Sequence, residues 1–398
     1  MRRNRTALVR GYYFCYFAAQ GCMASCLNVF LRQTLHFDGR ALGWFNGVTT
    51  LCAAAVLPLV GLWADRTGRP GRLLTLALGA LTAGGTMLGL QSGFWGALGW
   101  GILWECARSS CVPLADRSTV GLCGAQSYGK LRCFGSLGFL AGGAGLGLLT
   151  RRWGLERLLF PIYLSLAAAA LLLSFGLHRE ENVQRERPKR MWRTLLRTPA
   201  VRLALLLGAQ GGAAVNALQP YLGGFLVDRL GASVSTLGWN TLLCVGPELL
   251  LLPWVSGRLL PKYGAAQVSL GLTLALSIRC IGYALAPSVG MFLAASLFYG
   301  CTVCAATAVS LNVLRAAVPE ECYATAILLS AAVTALTRAG FGWLFGMLEG
   351  STGGRAGFWL LGVLSLAAAW VLWIKRDTFP NKSAGHKVSR TFRNHCFA

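Results

Sequence analysis

Residues 61–72 read GLWADRTGRPGR, a charged segment that separates two long apolar stretches. The 24 residues between Arg40 and Asp65 contain no Asp, Glu, Lys or Arg, and neither do the 32 residues of Leu73–Trp104. About 20 apolar residues span the hydrocarbon core of a bilayer. The first stretch is therefore long enough for one transmembrane helix, whereas the second must hold two, with a turn at Gln91–Gly93.

The same alternation of apolar stretches and charged segments continues along the chain. Further charge-free stretches lie between Arg10 and Arg32 (21 residues), Arg157 and Arg179 (21), Arg202 and Asp228 (25), Arg355 and Lys375 (19), and over Cys280–Leu314 (35, with a turn at 287–290). Of the 398 residues, 55% are hydrophobic and 13% are charged, about half the charged fraction of a soluble domain. The pattern predicts an all-α, polytopic membrane protein and excludes a soluble globular enzyme. Twelve transmembrane helices are expected at about 10–33, 41–64, 73–91, 94–116, 132–150, 158–178, 200–226, 236–259, 266–286, 289–314, 324–349 and 356–374.

The net charge of +23 is distributed along one side of these helices. With a cytoplasmic amino terminus, 26 Lys and Arg residues fall on the inner side and 7 on the outer side, where Arg151, Arg152 and Arg157 are the main exceptions. The positive-inside rule therefore predicts that both termini are cytoplasmic. We expect a multi-pass protein of the plasma membrane, with the lipid bilayer and not nucleic acid as its charged partner.

A short sequence repeat divides the chain into two halves. Leu42–Trp44 (LGW) recurs 195 residues later as Leu237–Trp239, and Pro58 recurs as Pro253 at the same offset. Between the halves, residues 179–197 form the most hydrophilic internal stretch. Two six-helix bundles joined by such a linker are the parallel-repeat arrangement of a large transporter class. The predicted domains are a bundle at 1–178, a cytoplasmic linker at 179–199, a second bundle at 200–374 and a basic cytoplasmic tail at 375–398.

Three segments carry a resemblance to a known family, and it covers nearly the whole chain. The loop at 61–72 resembles the signature loop of the major facilitator superfamily. Residues 113–117 (PLADR) and 128–139 (YGKLRCFGSLGF) are similar to the proton-symporter branch, which includes phenylpropionate, lactose and nucleoside permeases. Glu248 and Arg279 stand where that branch often carries a Glu and an Arg. The resemblance implies a secondary transporter that works by alternating access and is driven by protons.

Three predicted helices depart from the relatives. The first reads CLN at 26–28 and lacks the proline that is common there. The tenth reads LFYG at 297–300, without the histidine that this branch often carries, which argues against a histidine-based proton relay. The fifth has no proline between Cys133 and Thr150, unlike drug/proton antiporters. This favours import, with efflux as the alternative. The fifth helix instead has small-residue spacings that predict close helix packing, at Gly138, Gly142, Gly143 and Gly147.

Five charged side chains lie near the middle of predicted helices: Glu105, Arg108, Glu248, Arg279 and Arg338. Each costs about 2.5 to 3.5 kcal/mol at the bilayer centre, so we expect them to face one polar interior. Glu248 has no cation within one turn of its own helix and is the first candidate for proton coupling, with Glu105 second. The three Arg residues are candidates for binding substrate. Two structural alternatives are a self-neutralising Glu105–Arg108 pair and a static Glu248–Arg279 pair.

Other polar residues are candidates for substrate binding or for a cytoplasmic gate. Asn28, Asn216 and Gln219 in the first and seventh helices are expected either to bind substrate or to make helix-packing contacts. Asp116 lies on the same stripe of the fourth helix as Glu105, about 16 Å nearer the cytoplasm. The candidate gate residues are Asp65, Arg66, Arg69, Asp116 and Arg132.

The sequence thus predicts a carrier that imports a small polar organic solute, of the carboxylate, sugar or nucleoside class, together with protons. An exporter or antiporter of drugs or metabolites would share this architecture, and a transport-dead membrane sensor would keep it too. We expect no enzymatic activity, metal or cofactor, because no His, Ser or metal-ligand cluster appears at a helix end. The absence of a GxxxxGK[ST] phosphate loop argues against transport driven by ATP. The substrate, protons and lipid are the expected partners of a monomer.

Overall fold

The described part of the chain is built of helices. The structure is a computed structural model that describes residues 2–123, 125–178, 192–318, 320–352 and 354–379. Within these ranges there is no β-strand. Nine helical segments in the described chain are long and apolar enough to cross a bilayer, and the bent pair Thr6–Ala24 and Cys26–Gln33 adds a tenth. The chain is a multi-pass membrane protein.

All twelve predicted transmembrane helices lie in helical segments of the described chain. Two of them share the 50-residue segment Thr236–Leu285. The predicted fourth helix lies in Phe94–Cys123, which carries Glu105, Arg108 and Asp116 among its apolar residues. The predicted all-α polytopic fold is therefore confirmed.

The first of two compact units holds the first six helices together with residues 220–242. Its helices are α1 (Arg2–Gln33), α2 (Gly39–Thr67), α3 (Pro70–Gly89), α4 (Phe94–Cys123), α5 (Ala125–Trp153) and α6 (Leu155–Ser174), followed by a 3-10 turn at Phe175–Leu177.

Glycine and proline shape the loop at 61–72. Helix α2 ends at Thr67, because Gly68 takes a left-handed φ of 61° and its N–H donates to the carbonyl of Ala64 at 3.1 Å. Helix α3 begins at Pro70, a first-turn position at which the missing N–H costs nothing. The segment that separates the apolar stretches in the sequence is thus a tight helix–helix connection.

Helices α1 and α5 pack backbone to backbone. A Cβ added to Gly138 would lie 2.2 Å from the carbonyl oxygen of Phe14, and one added to Gly142 would lie 2.0 Å from that of Ala18. No larger residue fits at either position without moving a helix. The close packing predicted from the glycine spacing of α5 is confirmed.

The second unit holds residues 186–219 and 243–398. The remaining helices of the described chain are α7 (Trp192–Arg197), α8 (Pro199–Gly211), α9 (Gln219–Gly224), α10 (Thr236–Trp254), α11 (Leu260–Leu285), α12 (Val289–Ser296), α13 (Tyr299–Cys304), α14 (Ser310–Ala317), α15 (Glu320–Thr352) and α16 (Arg355–Ile374). Wider π-type turns occupy Gly212–Ala217, Phe225–Arg229, Val255–Leu259 and Ala305–Val309. Such turns reorient side chains within a helix and are frequent at functional sites.

Several helices run past the ends predicted from the apolar stretches. Helix α1 begins at Arg2, α4 continues to Cys123, and α5 begins at Ala125. Apolar length marks only the part of a helix inside hydrocarbon, and Arg, Ala and Leu sustain the helix beyond it. The predicted linker and tail fall largely on 179–191 and 380–398, outside the described residues, so the predicted domain boundaries stay predictions.

Candidate functional site

Glu105 and Arg108 form a bidentate ion pair on α4. Arg108 Nε donates to Glu105 Oε2 at 2.6 Å, and Arg108 Nη2 donates to Glu105 Oε1 at 2.5 Å. The Glu105 side chain is 2% exposed, and that of Arg108 is 26% exposed. Residues three apart are neighbours on a helix surface. The buried carboxylate is therefore satisfied by two charge-assisted hydrogen bonds, as the self-neutralising alternative predicts.

Aromatic residues from neighbouring helices hold this pair in place. Tyr16 of α1 donates its hydroxyl to the Arg108 carbonyl at 3.0 Å. The guanidinium carbon of Arg108 lies 5.8 Å from the centroid of the Trp104 ring. Trp104 Nε1 donates to the Tyr163 hydroxyl at 3.0 Å, which donates to the Leu81 carbonyl at 2.9 Å. This chain of hydrogen bonds joins α4 to α1, α6 and α3, so the ion pair has a defined orientation.

The pair leaves hydrogen-bond donors of Arg108 available while its net charge is zero. A guanidinium has five N–H groups, and the bonds to Glu105 use two of them. Because the Arg108 side chain is partly exposed, the others can donate to a polar ligand. A hydroxyl group suits this arrangement better than a carboxylate, since the cation already has a carboxylate partner.

Asp116 and Arg132, two of the predicted gate residues, lie together. Arg132 Nε is 3.9 Å from Asp116 Oδ1, and the Tyr13 hydroxyl donates to the same oxygen at 2.7 Å. The guanidinium carbon of Arg132 lies 4.1 Å from the centroid of the Phe17 ring. The network joins α4, α5 and α1. The sequence analysis missed Tyr13, although its position one turn before Phe17 on α1 puts both rings on one face.

The other three gate candidates lie at the loop between α2 and α3. Arg66 and Arg69 are exposed. The side chain of Asp65 lies outside the described residues, so the gate role predicted for these three stays a prediction.

Arg279 of α11 is fully buried among neutral groups. Its Nε donates to the Tyr283 hydroxyl at 3.1 Å, and its Nη1 donates to the Ala214 carbonyl at 3.3 Å and to Thr302 Oγ1 at 3.5 Å. The guanidinium carbon lies 4.9 Å from the centroid of the Tyr299 ring. Its Nη2 is buried and has no acceptor among the described residues. The site therefore holds a cation with an unmet hydrogen bond.

Glu248 of α10 is half-buried close to α13. A Cβ added to Gly300 would lie 3.0 Å from the Glu248 Cα. The preceding residue, Tyr299, is within electrostatic range of both Glu248 and Arg279. The fold thus brings the carboxyl and the cation to the same tyrosine. Arg338 is half-buried on α15, and its predicted role in substrate binding stays a prediction.

Two of the three candidate amides have unmet hydrogen bonds. Asn28 is 6% exposed, and its Nδ2 finds no acceptor in the described part of the chain. The Oε1 of Gln219 is likewise buried without a donor there. Buried polar groups are normally hydrogen-bonded, so both atoms suit contact with a ligand or water. The side chain of Asn216 lies outside the described residues.

Residues 220–242, which come from the second half of the chain, are joined to α1 and α2 by polar contacts. Arg32 Nη1 lies 3.0 Å from Asp228 Oδ2. Asn46 Nδ2 lies 3.4 Å from the Tyr221 hydroxyl. We call these two contacts, with the glycine contact described next, the clasp. The sequence analysis used Arg32 and Asp228 only as the ends of charge-free stretches and did not pair them.

The clasp also contains a backbone contact between Gly147 of α5 and Gly238 of α10. A Cβ on Gly147 would lie 2.3 Å from the Gly238 nitrogen, and one on Gly238 would lie 2.7 Å from the Ala144 carbonyl oxygen. Only glycine allows two helices to approach this closely. Gly238, the glycine of the second LGW copy, therefore lies at a contact between two helices.

Known proteins resemble this chain over most of its length. The MFS_1 like family matches residues 7–359. The maltose permease of Geobacillus stearothermophilus is 27% identical over 324 residues, which cover 81% of this chain and 82% of that protein. A mutant of the nucleoside transporter NupG superposes with a TM-score of 0.80 at 15% identity, covering 93% of this chain and 99% of that one. The D-xylose-proton symporter superposes with a TM-score of 0.71 at 17% identity, covering 96% and 98%. At these identities the two structures establish the shared fold.

Proposed function

Because the chain belongs to the MFS_1 like family, within the major facilitator superfamily, we propose that it imports a small, uncharged, hydroxyl-rich solute together with protons. Membership makes the protein a multi-pass membrane transporter with a small-molecule substrate. The direction of transport, the class of solute and the proton coupling are the proposal. The matched relatives are transporters and not enzymes.

The Glu105–Arg108 ion pair is the observation that carries the proposed substrate class. Its net charge is zero, it is held rigidly by Tyr16 and Trp104, and it keeps partly exposed N–H donors. Donors without a net charge favour hydroxyl and ring oxygens over a carboxylate, which would have to compete with Glu105. The name of the maltose permease, a relative at 27% identity, supports a sugar or nucleoside as the solute, and carboxylates become the less favoured class.

Glu248 is proposed as the residue that binds the coupled proton. Glu105 is already held as a carboxylate by Arg108, so its proposed role is to position that side chain. Glu248 is half-buried and shares the neighbourhood of Tyr299 with Arg279. In our proposal the nearby Arg279 cation stabilises the ionised form of Glu248. Once Glu248 is protonated, the Nη2 donor of Arg279, which has no acceptor among the described residues, binds substrate. Proton binding and substrate binding are coupled in this way.

The polar networks are proposed as gates in a plasma-membrane monomer with both termini in the cytoplasm. The Asp116–Arg132–Tyr13 network lies on the side that the positive-inside rule assigns to the cytoplasm. The clasp lies on the side assigned to the exterior. Alternating access requires that contacts joining the two halves of the sequence, such as the clasp, break and re-form as the two repeats rock. The Asp116–Arg132–Tyr13 network lies within the first half, so its proposed role is to hold α1, α4 and α5 together at the cytoplasmic gate.

Uptake into proteoliposomes tests the proposal. The full chain is reconstituted with an alkaline interior, and uptake of maltose, D-xylose, a nucleoside and a monocarboxylate is measured with and without a protonophore. We expect saturable uptake of a sugar or nucleoside that the protonophore abolishes. Preferred uptake of the monocarboxylate would contradict the substrate class, and net movement against the proton flow would contradict import by symport.

A further inference from the structure

We propose that a cavity formed by the π-type turn at Val255–Leu259, by α11, α14 and α16, and by the residues just after α16 binds the phosphate headgroup of an anionic phospholipid. The cavity has a volume of about 1140 Å³ and lies where α11 begins and α16 ends. All of its lining residues belong to the second unit and to the described chain. The proposal is independent of the transported solute and of proton coupling.

The charges of the cavity favour an anion. Lys262 and Arg376 line it, together with the acidic Asp377. Arg376 Nε lies 4.0 Å from Asp377 Oδ1, but the Asp377 side chain is 95% exposed, so this contact is weak in water. Lys262 Nζ lies 4.9 Å from the centroid of the Tyr263 ring and makes no ion pair among the described contacts. The cavity therefore has a net positive charge.

The backbone adds donors beside Lys262. Gly264 has a φ of 79° and interrupts the helical geometry of α11, so a new helical turn begins at Ala265. The first turn of a helix has N–H groups without intrahelical acceptors and carries a partial positive charge. Ala265, Ala266 and Gln267 of this turn line the cavity. Phosphate oxygens suit this combination of amide donors and two cations.

The apolar part of the cavity identifies the source of the phosphate as a lipid. Leu260, Leu270, Leu372 and Phe379 line it beside the polar groups. Trp373, at the end of an apolar span, is 53% exposed, and such aromatic residues lie at the level of the lipid headgroups. A cavity that is lined by both cations and apolar side chains, and that lies where an apolar span ends, fits a phospholipid. Free phosphate would leave most of the apolar wall uncovered.

Native mass spectrometry of the purified full chain tests the site with phosphatidylglycerol as the probe. The test variant is Lys262→Gln with Arg376→Gln. The control is Arg258→Gln, which removes an exposed cation of the same region that does not line the cavity. Each interfacial Lys or Arg contributes roughly a fivefold gain in affinity for anionic lipid. We expect the double variant to bind phosphatidylglycerol about 25-fold more weakly, and the control to stay within about twofold of the wild type.

Two further measurements establish the chemistry. Phosphatidylcholine, which has no net charge, is expected to bind the wild type more weakly than phosphatidylglycerol, and equimolar inorganic phosphate is expected to leave bound lipid in place. Equal loss of lipid in the control and the double variant would overturn the site. Release of the lipid by inorganic phosphate would overturn the lipid as ligand. The substituted residues are exposed, so we expect the three proteins to unfold at the same temperature. Equal unfolding temperatures exclude misfolding as the cause of weaker lipid binding.

Discussion

Arg108 donates Nε and Nη2 to the two carboxylate oxygens of Glu105, three residues earlier on α4. The carboxylate is buried, and the guanidinium is partly exposed. Because the pair is bidentate and lies within one turn of α4, its two charges cancel locally. It therefore offers hydrogen-bond donors to a solute without an excess of positive charge.

Removal of Arg108 alone is expected to destabilise the protein. Arg108→Gln leaves a buried carboxylate without its cation, at a cost of about 3–5 kcal/mol. Removing both charges, in Glu105→Gln with Arg108→Gln, should restore most of the stability but not the transport, because the longer guanidinium fork that donates to the solute is gone. Thermal unfolding of the full chain and solute uptake measure the two effects. Arg40→Gln, at an exposed position, is the control, and an Arg108→Gln protein as stable as this control would contradict the role of the pair.

Loss of the Arg32–Asp228 ion pair is expected to open the clasp. The two side chains are 21% and 36% exposed, so the pair contributes about 0.2–1 kcal/mol. Arg32→Ala should raise the population of the open clasp by up to about fivefold. A cysteine at position 46, labelled by an impermeant maleimide from outside, reports the opening. Every protein compared carries this cysteine, so the loss of the Asn46–Tyr221 contact is common to all of them, and the chain without it gives the background labelling.

The charge-swapped protein gives the decisive comparison for this ion pair. Arg32→Asp combined with Asp228→Arg should return labelling to the wild-type rate, because the attraction is restored in the opposite sense. Equal labelling of the single variant and the swapped protein would show that the charges do not hold the clasp.

A side chain at Gly147 is expected to keep the clasp open for a steric reason. The Cβ of Gly147→Ala would lie 2.3 Å from the Gly238 nitrogen, so α5 and α10 must separate. We expect at least a tenfold loss of transport rate, about 1.4 kcal/mol in a barrier, with solute binding retained. Gly145→Ala is the matched control on the same helix, since nothing lies within 4 Å of its Cβ. Normal transport by Gly147→Ala would show that transport does not require the close contact of α5 with α10 at Gly147 and Gly238.

The fold could be predicted from the sequence because the thickness of the bilayer fixes the length of each transmembrane helix. The distance between charged residues along the sequence shows which apolar stretches have that length. The site could be predicted in part. The contact of Glu105 with Arg108 follows from a spacing of three on one helix. Arg32 and Asp228 are 196 residues apart, and nothing in the local pattern gives the rotation of two separate helices about their axes.

The surroundings of Arg279 show the same limit. The sequence predicts that this cation needs a partner, and a carboxylate on the adjacent helix is the simplest choice. The structure surrounds it with Tyr283 of its own helix α11 and with Tyr299 and Thr302 of α13. These contacts depend on how the helical segments are aligned along their axes, and the π-type turn after α13 is part of that alignment. The length of an apolar stretch does not encode it.

Uptake driven by an imposed pH gradient in wild-type and Glu248→Gln proteoliposomes tests proton coupling through Glu248. Glu156→Gln, an exposed carboxyl outside the apolar core of the spans, is the control for the change from carboxyl to amide. We predict that the wild type and the control accumulate solute against its gradient. Glu248→Gln should still exchange solute across the membrane but accumulate none, because it cannot bind and release the coupled proton. Accumulation by Glu248→Gln equal to that of the wild type at every pH would contradict the proposed mechanism.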